Sequence, residues 1–190
     1  MGKKLHLGCG KTILKEWINL DIMKGQGVDI VADLEMCSEI PLPFEDNSID
    51  EFYASHLIEH IHFTLPLMQE LHRIAKNDSK AVFRLQYGLS DDKYVVKPYF
   101  IDSFACFSQP YYWRADYGYK GDWKTEKISL FVSQAVYKKK SFHEIYEDVM
   151  RKRNVVSEMV VELRAIKPTR VMKKELQTRP VFELLMVYML

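Results

Sequence analysis

Residues 4–11 are Lys4-Leu5-His6-Leu7-Gly8-Cys9-Gly10-Lys11, an apolar run that ends in a Gly-x-Gly turn. This pattern predicts a buried β-strand followed by a tight turn, where a side chain would hold the backbone away from a ligand at the strand tip. Asp21 comes eleven residues after Gly10 and closes a second short apolar run. At the tip of a neighbouring strand its carboxylate can accept both hydroxyls of a ribose. The two features together predict a nucleoside cradle.

Length and composition favour one globular domain over residues 1–190. The formal net charge is +1 and the sequence pI is about 7.7, so we expect no nucleic-acid partner. The three cysteines are an odd number without paired spacing, which favours a reducing, cytoplasmic location. We expect no membrane partner, because no apolar run is long enough to span a bilayer and no signal-peptide pattern is present.

Alternation of apolar runs and connections predicts a parallel sheet covered by helices. The expected strands are 4–7, 17–20, 28–34, 49–54, 81–85, 128–136 and 155–166, with helices near 64–75 and 142–150. Thr64 is the expected cap of the first helix, with Pro66 in its first turn. A turn is expected at 77–79, and the alternation along 155–166 suits an antiparallel strand. Residues 181–190 are strongly apolar and fit a closing strand, a helix or a partner surface equally well.

Aromatic side chains are concentrated in a segment that follows the fifth predicted strand. We expect residues of about 87–124 to form an acceptor-binding insertion or lid, because aromatic rings supply broad contact area with a few polar groups. Four of them are candidate substrate contacts: Tyr99, Phe104, Tyr111 and Trp113.

The order and spacing of these motifs resemble class I S-adenosylmethionine-dependent methyltransferases. More narrowly, the chain resembles a group of small predicted methyltransferases (methyltransferase type 11-like) without an assigned substrate. The pieces that carry the resemblance are Leu5 to Lys11, Trp17 to Asp21, Ala32 to Leu34, Pro43 to Asp50, Ser55 to His60, Pro98 to Trp123 and Val160 to Pro168. Two positions depart from the usual pattern: Thr12 replaces a third glycine, and residues 76–80 replace a Lys-Pro-Gly-Gly turn.

The resemblance implies a Rossmann-like, mostly parallel seven-stranded α/β sheet with an antiparallel last strand and helices on both faces. It implies S-adenosylmethionine as cofactor and S-adenosylhomocysteine as product. Gly8 and Gly10 would lie against the methionyl part, Asp21 would hold the ribose, and Asp33 with Leu34 would border the adenine. Ser55 and His56 would lie near the sulfonium. The full set of expected cofactor contacts is Leu7, Gly8, Cys9, Gly10, Asp21, Ile22, Asp33, Leu34, Ser55 and His56.

The expected reaction is methyl transfer to the oxygen or nitrogen of a small-molecule or glycan-type acceptor. Such a displacement mainly needs alignment of the nucleophile with the methyl group and exclusion of water. A hydroxyl acceptor gains from a base that titrates near neutrality, so His56 and His60 are the candidate catalytic residues. The sequence specifies neither the acceptor nor the oligomeric state.

Three alternatives share some of these residues. His56-x-x-Glu59-His60 matches an inverted zinc-protease motif, which requires a helix and a further carboxylate ligand, so no metal is expected. An NAD(P)-dependent oxidoreductase would also use a glycine-rich turn, but it needs a third glycine and an acid about twenty residues further on. A non-catalytic methyltransferase-like module that binds a nucleoside and a partner would keep the cradle without the chemistry.

Overall fold

The computed structural model describes residues 2–88 and 93–188. Its strands are β1 (Lys4–Leu7), β2 (Ile18–Asp21), β3 (Ile30–Val31), β4 (Ile49–Ser55), β5 (Ala75–Gln86), β6 (Trp123–Ser133), β7 (Val156–Ala165) and β8 (Val181–Val187). They form one sheet in the order β3-β2-β1-β4-β5-β7-β6-β8. Neighbouring strands are parallel except for β7, which is antiparallel to both β5 and β6. The expected Rossmann-like sheet with an inserted antiparallel strand is confirmed.

The number of strands differs from the expected seven. Residues 181–187, which the sequence left unplaced, pair in parallel with β6 and form an eighth strand at the edge of the sheet. The last strand of the chain is therefore parallel to its neighbour, and the antiparallel one is β7. A continuously apolar run has no period that separates a strand from a helix, so its pairing with β6 could come only from the tertiary structure.

The three α-helices are α1 (Thr64–Ile74), α2 (Gln134–Tyr137) and α3 (Phe142–Arg151). Helix α3 begins with a reciprocal capping box between Ser141 and Glu144, which explains why its start is predictable from the sequence. The expected cap at Thr64 is wrong, because Phe63 occupies the cap position and makes no side-chain cap bond. The Thr64 hydroxyl instead lies 3.3 Å from the Lys97 ammonium.

Several other observed boundaries of strands and helices differ from the predicted ones. The third strand shrinks to Ile30–Val31, and Leu34 already begins a short 3-10 helix. The turn expected at residues 77–79 lies within β5, where Asp78 has φ of 65° and the register with β4 shifts. Residues 134–136, expected in a strand, begin α2.

The connection between β1 and β2 contains no helix, and Asn19 stabilises it. The buried Asn19 amide donates to the carbonyls of Leu14 and Trp17 and accepts from the backbone N–H of Leu14. Its Oδ1 also lies 3.1 Å from Nδ1 of the buried His6. One side chain thus satisfies several backbone groups that a crossover helix would otherwise pair.

The apolar face of the sheet is covered by α1 and by the segment between β5 and β6. The indole of Trp123 donates to the Met68 carbonyl of α1, and Phe83 of β5 packs on Phe104. The opposite face carries ion pairs between neighbouring strands, including those of Lys4 with Glu51, Lys80 with Glu162 and Arg84 with Glu158. The core therefore lies mainly on one side of the sheet.

The aromatic segment lies between β5 and β6 and contains two short 3-10 helices, Ser103–Phe107 and Gln109–Trp113. Residues 89–92 of the expected insertion lie outside the described residues. Its aromatic rings divide into a buried and an exposed group. Those in the core are Tyr99, Phe104, Phe107, Tyr112 and Tyr119, and those exposed are Tyr94, Phe100, Tyr111, Trp113 and Tyr117. The role of this segment as a lid stays a prediction.

Within the described ranges, no helix combines the length and the apolar character needed to cross a membrane.

Candidate active site

The predicted cofactor residues lie together at the carboxyl ends of neighbouring parallel strands. Leu7 at the end of β1 pairs with Leu20 of β2 on one side and with Ala54 of β4 on the other. The glycine turn, Asp21 and Ser55 therefore follow three adjacent parallel strands at their carboxyl ends. In open α/β sheets, ligands bind outside the carboxyl ends of the strands.

A hydrogen bond joins the two halves of the predicted cradle. The Gly10 backbone N–H donates to Oδ2 of Asp21 across 2.8 Å, and the Met23 N–H donates to Oδ1 across 3.0 Å. A carboxylate has about four acceptor positions, so each oxygen keeps capacity for one more donor. The Asp21 side chain is thereby oriented with two acceptor positions available for vicinal hydroxyls.

The two glycines of the turn differ in what surrounds them. Both have positive φ, 60° at Gly8 and 52° at Gly10. A Cβ on Gly8 would lie 2.7 Å from Cδ1 of Leu57, whereas a Cβ on Gly10 would meet nothing within 4 Å. Gly8 is required for close packing inside the protein, and Gly10 presents bare backbone to open space.

The residues between and after these glycines close the turn. The Cys9 N–H donates to the Leu20 carbonyl, and the Thr12 N–H donates to the Cys9 carbonyl. The Cys9 side chain is buried, and burial, followed by the Asp21 charge, raises the pKa of its thiol. Thr12, which replaces the usual third glycine, therefore occupies an ordinary turn position without positive φ.

The predicted adenine contacts lie after β2 and β3. Oδ1 of Asp33 accepts the Glu35 N–H and caps the 3-10 helix Leu34–Met36. The Leu34 side chain belongs to the core. Ile22, directly after Asp21, is exposed and provides an apolar surface beside the cradle.

His56 is held between two carboxylates. It follows β4 with φ of 50°, and its Nδ1 lies 3.3 Å from Glu59 while its Nε2 lies 2.9 Å from Glu158. Carboxylates accept hydrogen bonds, so each ring nitrogen that carries a proton can donate to the carboxylate beside it. Both nitrogens of His56 are therefore engaged with Glu59 and Glu158, which orients the ring.

Glu158 is held in turn by Arg84 of β5. Burial alone would raise the pKa of the Glu158 carboxyl, but the hydrogen bond and charge of Arg84, together with His56, lower it. The same pairing raises the pKa of the Arg84 guanidinium. Arg84 and Glu158 lie 74 positions apart and meet because β5 pairs with β7, so no local pattern in the sequence indicates their contact.

His60 has a different environment. Its Nδ1 lies 2.7 Å from the Tyr94 carbonyl, which fixes Nδ1 as the donor and leaves the Nε2 lone pair available. His56 and His60 thus face different partners, and their assignment as bases stays a prediction. The zinc interpretation needs these residues on one helix, but Ile58–His60 is a single 3-10 turn. Across residues 2–88 and 93–188 no group of three His, Cys, Asp or Glu residues has metal-binding geometry.

The predicted substrate residues are not all together. Tyr99 and the fully buried Phe104 pack on each other in the core. Tyr111 lines a separate cavity of about 500 Å³, beside Thr125 near the start of β6. Trp113 lies between the cations of Arg114 and Lys174. Tyr99 and Phe104 lie toward the cradle, because Tyr99 is bridged to Gly88 after β5 and Phe104 packs on Phe83, which pairs with Ala54. Tyr111, near the start of β6, lies toward the opposite end of the strands.

A family model described as a methyltransferase domain matches residues 5–83, the segment that holds the glycine turn, Asp21 and His56. A search of curated proteins finds no match.

Many solved structures share the fold. A SAM-dependent methyltransferase from Archaeoglobus fulgidus is 15% identical with a TM-score of 0.55, over 86% of each chain. The [4+2]-cyclase SpnF is 11% identical with a TM-score of 0.52, over 87% of this chain and 76% of its own. Phosphoethanolamine N-methyltransferase 2 of Haemonchus contortus, bound to phosphomonomethylethanolamine and S-adenosylhomocysteine, is 14% identical with a TM-score of 0.50. The match covers 89% of this chain and 49% of the Haemonchus contortus chain. At these identities the likeness establishes the fold.

Proposed function

Because a methyltransferase-domain model matches residues 5–83 and the chain shares its fold with a solved SAM-dependent methyltransferase, we propose that it transfers a methyl group from S-adenosylmethionine to a small-molecule or glycan-type acceptor. The hydrogen bond from Gly10 to Asp21 is the observation that carries this proposal. It places a glycine turn and a carboxylate with remaining acceptor capacity at the carboxyl ends of adjacent strands, which is the arrangement a nucleoside requires.

The cradle residues fit this cofactor. The space beside Gly10 can take the methionyl part, the second acceptor position on each Asp21 oxygen can take a ribose hydroxyl, and Asp33 with Ile22 can border the adenine. When bound, S-adenosylmethionine supplies an electrophilic methyl group on a sulfonium. The Haemonchus contortus relative binds S-adenosylhomocysteine, which supports the same assignment here.

The chain's own contribution to methyl transfer is alignment and exclusion of water. Ser55 and His56 follow β4 next to the glycine turn, since Leu57 contacts Gly8 directly. We therefore assign them to the region of the reacting methyl group, with O- or N-methylation as the reaction. His60, whose Nδ1 is fixed by the Tyr94 carbonyl, is the better placed of the two histidines to act as a base.

The proposal is tested by calorimetric titration of the purified protein with S-adenosylmethionine, S-adenosylhomocysteine and NAD. We expect both sulfur nucleosides to bind and NAD not to bind. Tighter binding of NAD than of either sulfur nucleoside would favour the oxidoreductase alternative and overturn the assignment.

A second candidate is a nucleoside-binding protein of this fold that does not methylate. The cyclase among the structural neighbours supports this second candidate, because a protein of this fold can have a function other than methyl transfer. Incubation with S-adenosylmethionine carrying a labelled methyl group, together with fractionated cell extract, separates the two. Label in a new product supports the methyltransferase, and binding without label transfer supports the second candidate.

A further inference from the structure

Glu59 is a buried carboxylate with one oxygen unused. It lies in the 3-10 turn Ile58–His60 and its residue is 1% exposed. Its Oε1 accepts the Gln86 backbone N–H across 3.1 Å and lies near His56. Its Oε2 is buried and has no hydrogen-bond partner in the described part of the chain.

The Tyr99 hydroxyl is also buried without a hydrogen-bond partner among the described residues. Tyr99 is 4% exposed, and its Oη has no hydrogen-bond partner within the described ranges. Burial raises the pKa of the Tyr99 phenol, and the Glu59 charge adds to this rise. Both residues are tied to the end of β5, since the Gln86 N–H donates to Oε1 of Glu59 and the Gly88 N–H donates to the Tyr99 carbonyl. Two buried polar groups in one region therefore each have an unmet hydrogen-bonding requirement.

Such an arrangement is costly for a folded protein. A buried polar group without a partner destabilises the folded protein, and a charged one does so more strongly. The other buried glutamate in the described residues, Glu70, shows the usual solution, since Arg73 and the Leu42 N–H occupy both of its oxygens. An unpartnered buried group in a native protein needs an explanation, and one such explanation is a role in binding or catalysis.

The position of this pair connects it to the cofactor cradle. Leu57, two residues before Glu59, contacts Gly8 of the glycine turn. The Glu59 backbone carbonyl accepts the Val96 N–H, so the chain that leads to Tyr99 lies across the turn that carries the carboxylate. Glu59 therefore belongs to the turn that connects the cradle, through Leu57, with the chain that leads to Tyr99, through Val96.

We propose that Oε2 of Glu59 and the Tyr99 hydroxyl bind the hydroxyl or amine group of the methyl acceptor. This inference rests on the proposed function and adds a binding group that the sequence did not indicate. The acceptor donates its O–H or N–H to Oε2 of Glu59, and its second hydrogen-bonding position is taken by Tyr99. The proton that the acceptor loses on methylation passes to Oε2, so that Glu59 acts as the base in place of His60. The resulting acid returns the proton to water after the product leaves.

The first test is thermal stability of three variants. Glu59→Gln keeps one oxygen to accept the Gln86 N–H and replaces the unpartnered Oε2, and Tyr99→Phe removes a hydroxyl that lacks a partner among the described residues, so we expect neither variant to lower the melting midpoint. Glu70→Gln is the matched control and should lower it, because that carboxylate is fully paired with Arg73. A fall for Glu59→Gln as large as that of Glu70→Gln would mean that Oε2 has a structural partner, which overturns the proposal.

The second test is binding of ethanolamine, a small donor probe, by ligand-observed NMR in the presence of S-adenosylhomocysteine. The comparison probe is 1,2-dimethoxyethane, which accepts hydrogen bonds and donates none. We expect the parent protein to prefer ethanolamine, and Glu59→Gln to weaken that binding roughly tenfold. Absence of ethanolamine binding to the parent, or equal binding by parent and Glu59→Gln, overturns the inference.

The same experiments separate this inference from the proposed function. Loss of S-adenosylhomocysteine binding by the parent protein would contradict the cofactor assignment. Retained S-adenosylhomocysteine binding in all variants, with unchanged ethanolamine binding, would contradict only the role of Glu59 and Tyr99.

Discussion

Gly10 and Asp21 are joined by a hydrogen bond of 2.8 Å between the glycine N–H and Oδ2 of the carboxylate. The bond links the turn after β1 to the tip of β2 and uses one acceptor position of Asp21. The carboxylate is therefore oriented before any ligand arrives, which lowers the entropic cost of binding.

Asp21→Ala should weaken S-adenosylhomocysteine binding by about one to two orders of magnitude, because charge-assisted hydrogen bonds contribute roughly 1.5–3 kcal/mol. Asp21→Asn should lose nearly as much, since an amide has one acceptor oxygen while the two backbone donors, Gly10 and Met23, use both oxygens of the carboxylate. Calorimetry provides the affinities and circular dichroism checks the fold. Asp50→Asn, near the opposite end of β4, is the control and should leave the affinity unchanged. Parent-like affinity in a folded Asp21→Ala protein would show that the cradle is misassigned.

The two glycines should respond differently to alanine. Gly8→Ala places a Cβ 2.7 Å from Leu57 at positive φ, so we expect a loss of stability of about 2–4 kcal/mol. Gly10→Ala meets no atom within 4 Å and should cost only the left-handed backbone energy, about 1–2 kcal/mol, while it weakens cofactor binding. Denaturant unfolding and S-adenosylhomocysteine titration measure the two effects. Tight cofactor binding by Gly10→Ala would mean that the ligand does not approach this backbone.

Phe104 represents the buried rings of the aromatic segment, and Tyr111 represents the exposed ones. Phe104 is fully buried against Phe83, Tyr99 and Phe107, so Phe104→Ala should cost about 3–5 kcal/mol of stability. Tyr111→Ala, at a half-exposed position, should cost about 1 kcal/mol or less. Equilibrium unfolding of both variants gives the comparison. Equal losses would contradict the division of this segment into buried and exposed rings.

Glu158 should make stability depend on pH in the acid range. Its carboxyl pKa is lowered in the folded protein, so its stabilisation is complete above the ordinary glutamate pKa of about 4.3 and is lost as pH falls through the lower folded value. Glu158→Gln should therefore lower the free energy of unfolding at pH 7 by about 1 kcal/mol, with a lower melting midpoint. The difference in stability between variant and parent should shrink as pH falls below about 4. Glu45→Gln, in an exposed loop, is the control and should follow the parent at every pH. A difference that persists undiminished at pH 3 would rule out the ion pair with Arg84 as its source.

Local patterns were sufficient for the parts of the chain whose structure depends on near neighbours. Three elements were predictable: the glycine turn after residues 4–7, the capped helix from Phe142 and the alternating strand from Val156. Turns and helix caps require particular residue types, and burial of one face of a strand produces an alternating sequence pattern. The spacing from Gly10 to Asp21 predicted the cradle for the same reason. The absence of period in residues 181–187 and the bulged start of β5 explain why those elements were missed or misplaced.

Tertiary structure alone decided what surrounds the cradle. Arg84, Glu158 and His56 meet because β7 enters between β5 and β6, and Glu59 becomes buried because the chain from Val96 crosses its turn. Each of these contacts joins residues far apart in sequence, and their side chains follow no local period. The sequence by itself therefore determined the parallel α/β sheet and the glycine turn beside Asp21, whereas sheet order and chain crossing determined which charges are paired and which buried oxygen lacks a partner among the described residues.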